Sequence, residues 1–285
     1  NLAAGLIMIV PLFWLKQFKP MTGRDLVWTV ARSSVGMVGL IGSFASFLYL
    51  PMGTAYFMYF GGIILGGFGL GKLLFKEKLT LVKIISLVLA LVGMTLVYQV
   101  SFNPTTIKYL WLALIAGLAG AFWVVSSKKI SASYSALQLN TLDFWIFGIL
   151  AVMISLFQHE AWSWPTLTLP WMANLLFMIM IIVTGQLIVF GFKHLDAQRG
   201  SLILLLEAVL GVVVGAVVFH EQLSSLALVG GALVLIAAAL PEVKELMRNS
   251  RNLARLQSVT SVWDPIPDQK TVRKKLQSRS KLKTA

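Results

Sequence analysis

Nine long apolar runs divide this chain, and they constrain its fold more than any other feature of the sequence. Most contain 15–23 residues, close to the roughly 20 residues that an α-helix needs to cross a bilayer. A β-barrel would instead show alternating segments of about 10 residues. The predicted spans are Leu2–Leu15, Leu26–Leu48, Thr54–Phe75, Thr80–Tyr98, Tyr109–Ser127, Leu137–Phe157, Trp171–Phe192, Ser201–Phe219 and Leu226–Leu240.

Composition excludes a soluble globular enzyme. Hydrophobic residues make up 58% of the 285 residues and charged residues 12%, with a mean hydropathy of +0.82. An ordinary soluble domain has about 45–50% apolar and about 25% charged residues. The chain is therefore predicted to be an all-α polytopic membrane protein. It contains no cysteine, so disulfides and thiolate chemistry are excluded.

The positive charges predict the orientation of the spans. Of the 24 Lys and Arg residues, 23 lie in or beside every second connection or in the segment after the last span, and Lys108 is the exception. Cytoplasmic connections of membrane proteins carry such an excess. We therefore expect the basic segment 242–285 to be cytoplasmic, in a multi-pass protein of the bacterial inner (plasma) membrane.

An internal repeat is visible at an offset of 144 residues. The repeated unit lies on opposite sides of the membrane in its two copies, and such inverted repeats are typical of transporters. The expected organisation is a first repeat over 1–98 with four helices, a second over 109–241 with five, and a tail over 242–285. A ten-helix fold of two inverted five-helix repeats would then lack its first helix here. The matching residues are Gly67, Gly71, Phe75 and Glu77 with Gly211, Gly215, Phe219 and Glu221.

These motifs resemble the EamA-type transporters of the drug/metabolite transporter superfamily. Each copy carries a Phe-x-Glu-x-Leu turn, at 75–79 and at 219–223, and each keeps one helix glycine of the family pattern, Gly93 or Gly230. The family's Leu-Glu-Pro-Val occurs as Leu206-Glu207-Ala208-Val209, in which Ala208 replaces the proline. The resemblance implies a secondary active transporter of small metabolites, such as amino-acid-like or nucleoside-like compounds, with proton coupling and exchange both open.

Ionisable residues inside the spans are the first candidates for a substrate or ion site, because burying a charge in a membrane is costly. Glu207 is either a proton carrier or counter-charge, or a structural core carboxyl. Asp143 and Asn140 share one helix face, where they either line a cavity or join two helices. Arg32 is expected to snorkel to the membrane surface, with anion binding as the alternative.

Uncharged residues extend this list. Gln186 is a polar residue in an apolar run, and Trp123, Tyr56 and Tyr59 either form aromatic walls of a cavity or simply pack. Glu77 and Glu221 are expected to cap helices or to anchor loops rather than to contact substrate. The remaining candidates, expected to allow close helix approach, are Gly62, Gly66, Gly67, Gly71, Gly211 and Gly215.

Enzyme and nucleotide-binding motifs are missing from the sequence, so we expect no catalytic residue, metal or cofactor, and no nucleic-acid partner. The expected partners are a small-molecule substrate and the bilayer, with anionic lipid headgroups at the basic tail; a homodimer stays open. Two other functions also stay open. One is a nucleotide-sugar-type antiporter of an internal membrane, and the other is a scaffold that acts through the basic tail without transport.

Overall fold

The structure, a computed structural model, describes residues 1–99, 106–160, 166, 168–218, 220 and 224–261, and every regular element among them is an α-helix. The chain divides into two compact units, Asn1–Pro241 and Glu242–Ala285. The helices are α1 (Leu2–Trp14), α2 (Gly23–Phe47), α3 (Met52–Phe75), α4 (Leu81–Tyr98), α5 (Ile107–Ile130), α6 (Ala136–Phe157), α7 (Leu169–His194), α8 (Ala197–Leu204), α9 (Leu206–Val218) and α10 (Ser225–Ser261).

Within the described part of the chain, eight helical segments are long and apolar enough to cross a membrane. They correspond to eight of the nine predicted spans, and the remaining span, α1, has only 13 residues. An all-α, multi-pass membrane protein is therefore confirmed. The predicted continuous span Ser201–Phe219 differs, because two helices, α8 and α9, meet there at Leu205. The inverted relation of the two repeats stays a prediction.

Hydroxyl side chains set the starting points of several helices. Thr22 accepts a hydrogen bond from the backbone nitrogen of Asp25, and Ser135 accepts one from Gln138, at 3.2 and 3.1 Å. Thr80 caps α4 in the same way. Such caps satisfy amide groups that have no partner within the helix. They fix where α2, α4 and α6 begin, and these three starts share one end of the bundle with the ends of α1, α3 and α5.

Small residues allow the central helices to approach closely. α5 packs most extensively against α2 and α3. A Cβ added to Gly39 of α2 would lie 2.9 Å from the carbonyl oxygen of Ala116 in α5. Gly62, Gly66, Gly67 and Gly71 of α3 are likewise too crowded for a side chain, so their predicted role is confirmed. The prediction is wrong for Gly211, since nothing lies within 4 Å of its Cβ position, and the surroundings of Gly215 lie outside the described part of the structure.

The helix glycines of the two repeat copies, Gly93 and Gly230, meet each other. A Cβ on Gly93 of α4 would lie 2.7 Å from the carbonyl oxygen of Gly230 in α10. Backbone therefore contacts backbone at this crossing. The two copies of the repeated motif thus contribute one glycine each to a single helix–helix contact.

Candidate functional site

A buried ion pair joins α2 to α6. The Arg32 guanidinium meets the Asp143 carboxylate end-on, with Nη1–Oδ1 and Nη2–Oδ2 distances of 2.7 and 2.9 Å, and the two side chains are 1% and 3% exposed. Snorkelling was therefore the wrong interpretation of Arg32. Its head group lies nine residues into α2, about 14 Å along the helix axis, beside a counter-charge that offsets the cost of burial.

Two neutral donors complete the shell around Asp143. The hydroxyl of Ser33 and the indole Nε1 of Trp123 both donate to this carboxylate, the second at 3.2 Å. Trp123 also lies over Gly36, where a Cβ would come within 2.7 Å of the indole, and its ring centroid is 5.9 Å from the Arg32 guanidinium carbon. Trp123 thus packs against α2 and also donates a hydrogen bond to Asp143. As a result, α2, α5 and α6 all contact one carboxylate.

Asn140 and Gln186 extend the polar cluster towards α7. Asn140 lies one turn before Asp143 on α6 and is 1% exposed. Its Oδ1 is 3.1 Å from the Cβ position of Gly185, the residue that precedes Gln186. Among the described residues, three nitrogen atoms of this cluster are buried without a hydrogen-bond partner: Arg32 Nε, Asn140 Nδ2 and Gln186 Nε2.

Glu207 lies at an interruption of the eighth span. The amide of Leu205 bonds to the carbonyl of Leu202, and that of Ala208 bonds to Leu205, so both bonds reach back three residues instead of four. This tightened turn separates α8 from α9. It forms although Ala208 stands where the EamA-type motif that the sequence resembles has proline, and it places Glu207 in the first turn of α9. The Glu207 side chain is exposed, because the neighbouring helices do not cover it.

Three tyrosines lie close enough to Glu207 to interact with its charge. The phenols of Tyr56 and Tyr59 on α3 and of Tyr98 on α4 all lie within electrostatic reach of its carboxyl group. The rings of Tyr56 and Tyr98 stack with their centroids 6.1 Å apart. Tyr98 is a site residue that sequence reasoning missed, because only the packing of α4 against α3 brings it to Tyr56.

A network of charges, which we call the ionic latch, closes one end of the bundle. It consists of Glu77, Lys83, Lys128, Asp196 and Arg199. The Glu77 carboxylate accepts the backbone N–H groups of Ala197 and Gln198 at 2.7 and 3.2 Å, and it pairs with Lys128 at 3.0 Å. Glu77 therefore caps α8, as predicted, and ties its first turn to the ends of α3 and α5. Glu221 lies outside the described residues.

Asp196 forms the second half of the latch. Its Oδ2 pairs with Lys83 Nζ at 3.1 Å and with Arg199 Nε at 3.4 Å. Partial burial on its own would raise the pKa of Asp196, but the hydrogen bond and charge of Lys83, with the charges of Arg199 and Lys128, together hold this pKa below its ordinary value. The carboxylate is therefore ionised at neutral pH.

The candidate residues form no metal site among the described residues, and they lie outside the cavity that the structure describes. Within the part of the chain that the structure describes, no group of three or more His, Asp or Glu side chains is placed to hold a metal ion. A mainly apolar cavity of about 720 Å³ lies between α1 and α7, where its walls include Ile7, Trp171 and Met178. None of the predicted site residues lines this cavity.

Comparison with known proteins agrees with this architecture. Residues 107–241 match the model of the EamA-like transporter family. An uncharacterized transporter of Clostridium kluyveri is 25% identical over 57% of this chain and 55% of its own length. The uncharacterized transporter YvbV of Bacillus subtilis is 25% identical over 67% of this chain and 62% of its own length. The chain thus spans less than two thirds of these relatives.

A solved crystal structure shares the fold. It superimposes with a TM-score of 0.72 at 15% sequence identity and covers 83% of this chain and 84% of its own. At 15% sequence identity, this similarity shows only that the helices are arranged in the same way.

Proposed function

Because residues 107–241 match the model of the EamA-like transporter family, we propose that this chain is a secondary active transporter of a small metabolite. The substrate moves by alternating access around a site within the membrane. The observation that carries this proposal is the pairing of a broken helix with an acidic side chain at the break. Interrupted helices of this kind hold the substrate and ion sites of many secondary transporters.

Glu207 is proposed as the coupling residue. A carboxyl group at the interruption, about 15 Å along the eighth span from Ala197, can gain a proton from one side of the membrane and release it to the other. Tyr56, Tyr59 and Tyr98 supply hydroxyl groups and aromatic faces around it. Protonation removes the charge of Glu207. The protonated and ionised forms therefore favour different packing of α9 against α3 and α4.

The ionic latch is proposed as the gate at the basic end of the bundle. It joins the α3–α4 connection to α5 and to the first turn of α8, so access from this end requires these contacts to break. We place this end in the cytoplasm of a bacterial inner membrane, because the basic connections lie there. The structure then corresponds to a state that is closed towards the cytoplasm.

We propose that the first residues after Pro241 lie against anionic lipid headgroups. The apolar side chains of Val243, Leu246 and Met247 are exposed, at 44%, 69% and 54%, and Lys244 and Arg248 are interspersed among them. Apolar and basic residues mixed in this way favour the surface of an anionic leaflet.

Solute counterflow tests the proposed function. The purified full chain is first screened by thermal shift against amino acids and nucleosides, and the compounds that stabilise it are loaded into proteoliposomes. We expect a loaded compound to accelerate the entry of its labelled form, since alternating access exchanges substrate across the membrane. Stabilising compounds that bind but give no exchange in intact proteoliposomes would contradict transport.

A further inference from the structure

The second edge of the Arg32 guanidinium is free. A guanidinium carries five N–H donors in a planar fork, and Asp143 occupies only the end-on edge formed by Nη1 and Nη2. The side-on edge consists of Nε and the remaining hydrogen of Nη2. Nε is buried without a partner among the described residues. A carboxylate can bind to such an edge through two parallel hydrogen bonds while Asp143 stays in place.

Two amide groups continue the chain of contacts that leads from Arg32 through Asp143 on α6 to α7. Asn140 is one helical turn from Asp143 on the same face of α6, and Gln186 follows Gly185, which contacts Asn140. The Nδ2 of Asn140 and the Nε2 of Gln186 are buried without partners, like Arg32 Nε. Unmatched buried donors are rare in folded proteins. Three such donors, on α2, α6 and α7, leave room in their hydrogen bonding for a ligand that supplies acceptors.

We propose that Arg32, Asn140 and Gln186 form a subsite for the carboxylate of the transported metabolite, an inference that rests on the proposed function. The two oxygens of a carboxylate provide about four lone pairs, which match Arg32 Nε, Arg32 Nη2 and the two amide nitrogens. The negative charge of Asp143 next to the subsite selects against a dianion such as phosphate. The subsite thus selects metabolites with a free carboxylate over their amides and esters.

Nitrogen-15 NMR of the arginine Nε–H groups tests this subsite without a known substrate. The full chain is reconstituted in nanodiscs and titrated with acetate, and in parallel with acetamide, its neutral analogue of similar shape. Arg32→Lys identifies the Arg32 resonance by its loss. We expect acetate to shift this resonance saturably and acetamide to leave it unchanged, because acetamide lacks the anionic pair of oxygens.

Matched variants separate the subsite from general packing. Asn140→Ala and Gln186→Leu should each weaken acetate binding about tenfold, as expected for one hydrogen bond to a charged group. Thr141→Val is the control, since the Thr141 hydroxyl bonds within α6 to Leu137, and it should bind acetate as the wild type does. An unmoved Arg32 resonance, equal shifts with acetamide, or undiminished affinity in both amide variants would overturn the subsite.

The outcome is independent of the proposed coupling. Acetate binding is an equilibrium measurement that requires no net transport. If counterflow fails while acetate still titrates Arg32, the transport proposal is wrong and the anion site remains. If counterflow succeeds with compounds that lack a carboxylate, and acetate does not move Arg32, the carboxylate subsite is wrong and the transport proposal remains.

Discussion

Arg32 and Asp143, 111 positions apart in the sequence, form a doubly hydrogen-bonded pair that is almost completely buried. The pair links α2, which lies in the first half of the chain, to α6 in the second. Ser33 and Trp123 provide further donors to the same carboxylate. The pair therefore connects the two halves of the chain. The second edge of the Arg32 guanidinium is available for a ligand.

Removing one partner of this pair should destabilise the protein strongly. Asp143→Leu leaves the Arg32 charge buried and uncompensated, which costs about 3–5 kcal/mol for pairs of this kind. The double variant Arg32→Met with Asp143→Leu removes both charges and should recover much of the loss. Unfolding of the reconstituted protein in increasing SDS measures both. A double variant as unstable as the single one would contradict the pairing.

Loss of the Glu77 contacts should open the ionic latch. The sequence contains no cysteine, so a single Ser201→Cys reports access to the first turns of α8, where Ser201 is fully buried. Glu77→Ala in this background removes the cap and the pair with Lys128. We expect thiol alkylation from the basic side to become about tenfold faster, equivalent to about 1.4 kcal/mol.

The control for this experiment lies in the same turn. Lys78 is exposed and takes no part in the latch. Lys78→Ala should therefore leave the alkylation rate unchanged. Equal rates in the Glu77→Ala and wild-type backgrounds would show that the latch does not close this end.

The pH dependence of transport should not arise from Asp196. Its pKa is held below the ordinary value by Lys83, Arg199 and Lys128, against the opposing effect of burial. A lowered pKa means that its stabilising contacts are complete at neutral pH and are lost only as the pH falls through that lowered value. Asp196→Asn should change the transport rate but keep the shape of the profile between about pH 5 and pH 8. A profile that flattens in this variant would assign the titration to the latch.

The crossing of α4 and α10 should not tolerate a side chain. An alanine Cβ at Gly93 would lie 2.7 Å from the carbonyl oxygen of Gly230, so the helices must separate, and overpacking of this kind costs about 1–3 kcal/mol. Gly93→Ala should lower the melting temperature in detergent. Gly69→Ala is the matched control, because nothing lies within 4 Å of that Cβ position. Equal melting temperatures for the two variants would argue against the close crossing.

Local patterns in the sequence predicted the parts of the structure that depend on single helices. Apolar runs predicted the spans. The motif around Glu77 predicted a helix cap or a loop anchor, but not that the capped helix would be α8, 120 residues away. The helix interruption before Glu207 was not predictable from proline, since Ala208 stands in that position. It is visible only in the three-residue hydrogen bonds around Leu205.

Residues that act through distant partners were beyond sequence reasoning. Arg32 was interpreted as a snorkelling residue because the sequence does not show which helix carries its counter-charge. Asp143 was a candidate on its own helix, but its contacts come from α2 and α5. Tyr98 ends an apolar helix like many interfacial tyrosines, and only packing brings it next to Tyr56. Single-helix periodicity does not contain the contacts between helices.

Proton-driven uptake by a Glu207→Gln variant tests the central claim most directly. Proteoliposomes that contain the full chain and a counterflow substrate receive an inward proton gradient, and substrate accumulation is measured beside internal acidification. Glu160→Gln, at an exposed carboxyl in the α6–α7 connection, is the control. We expect the control to accumulate substrate as the wild type does and Glu207→Gln to lose gradient-driven accumulation at normal expression. Undiminished accumulation and acidification in Glu207→Gln would contradict the account.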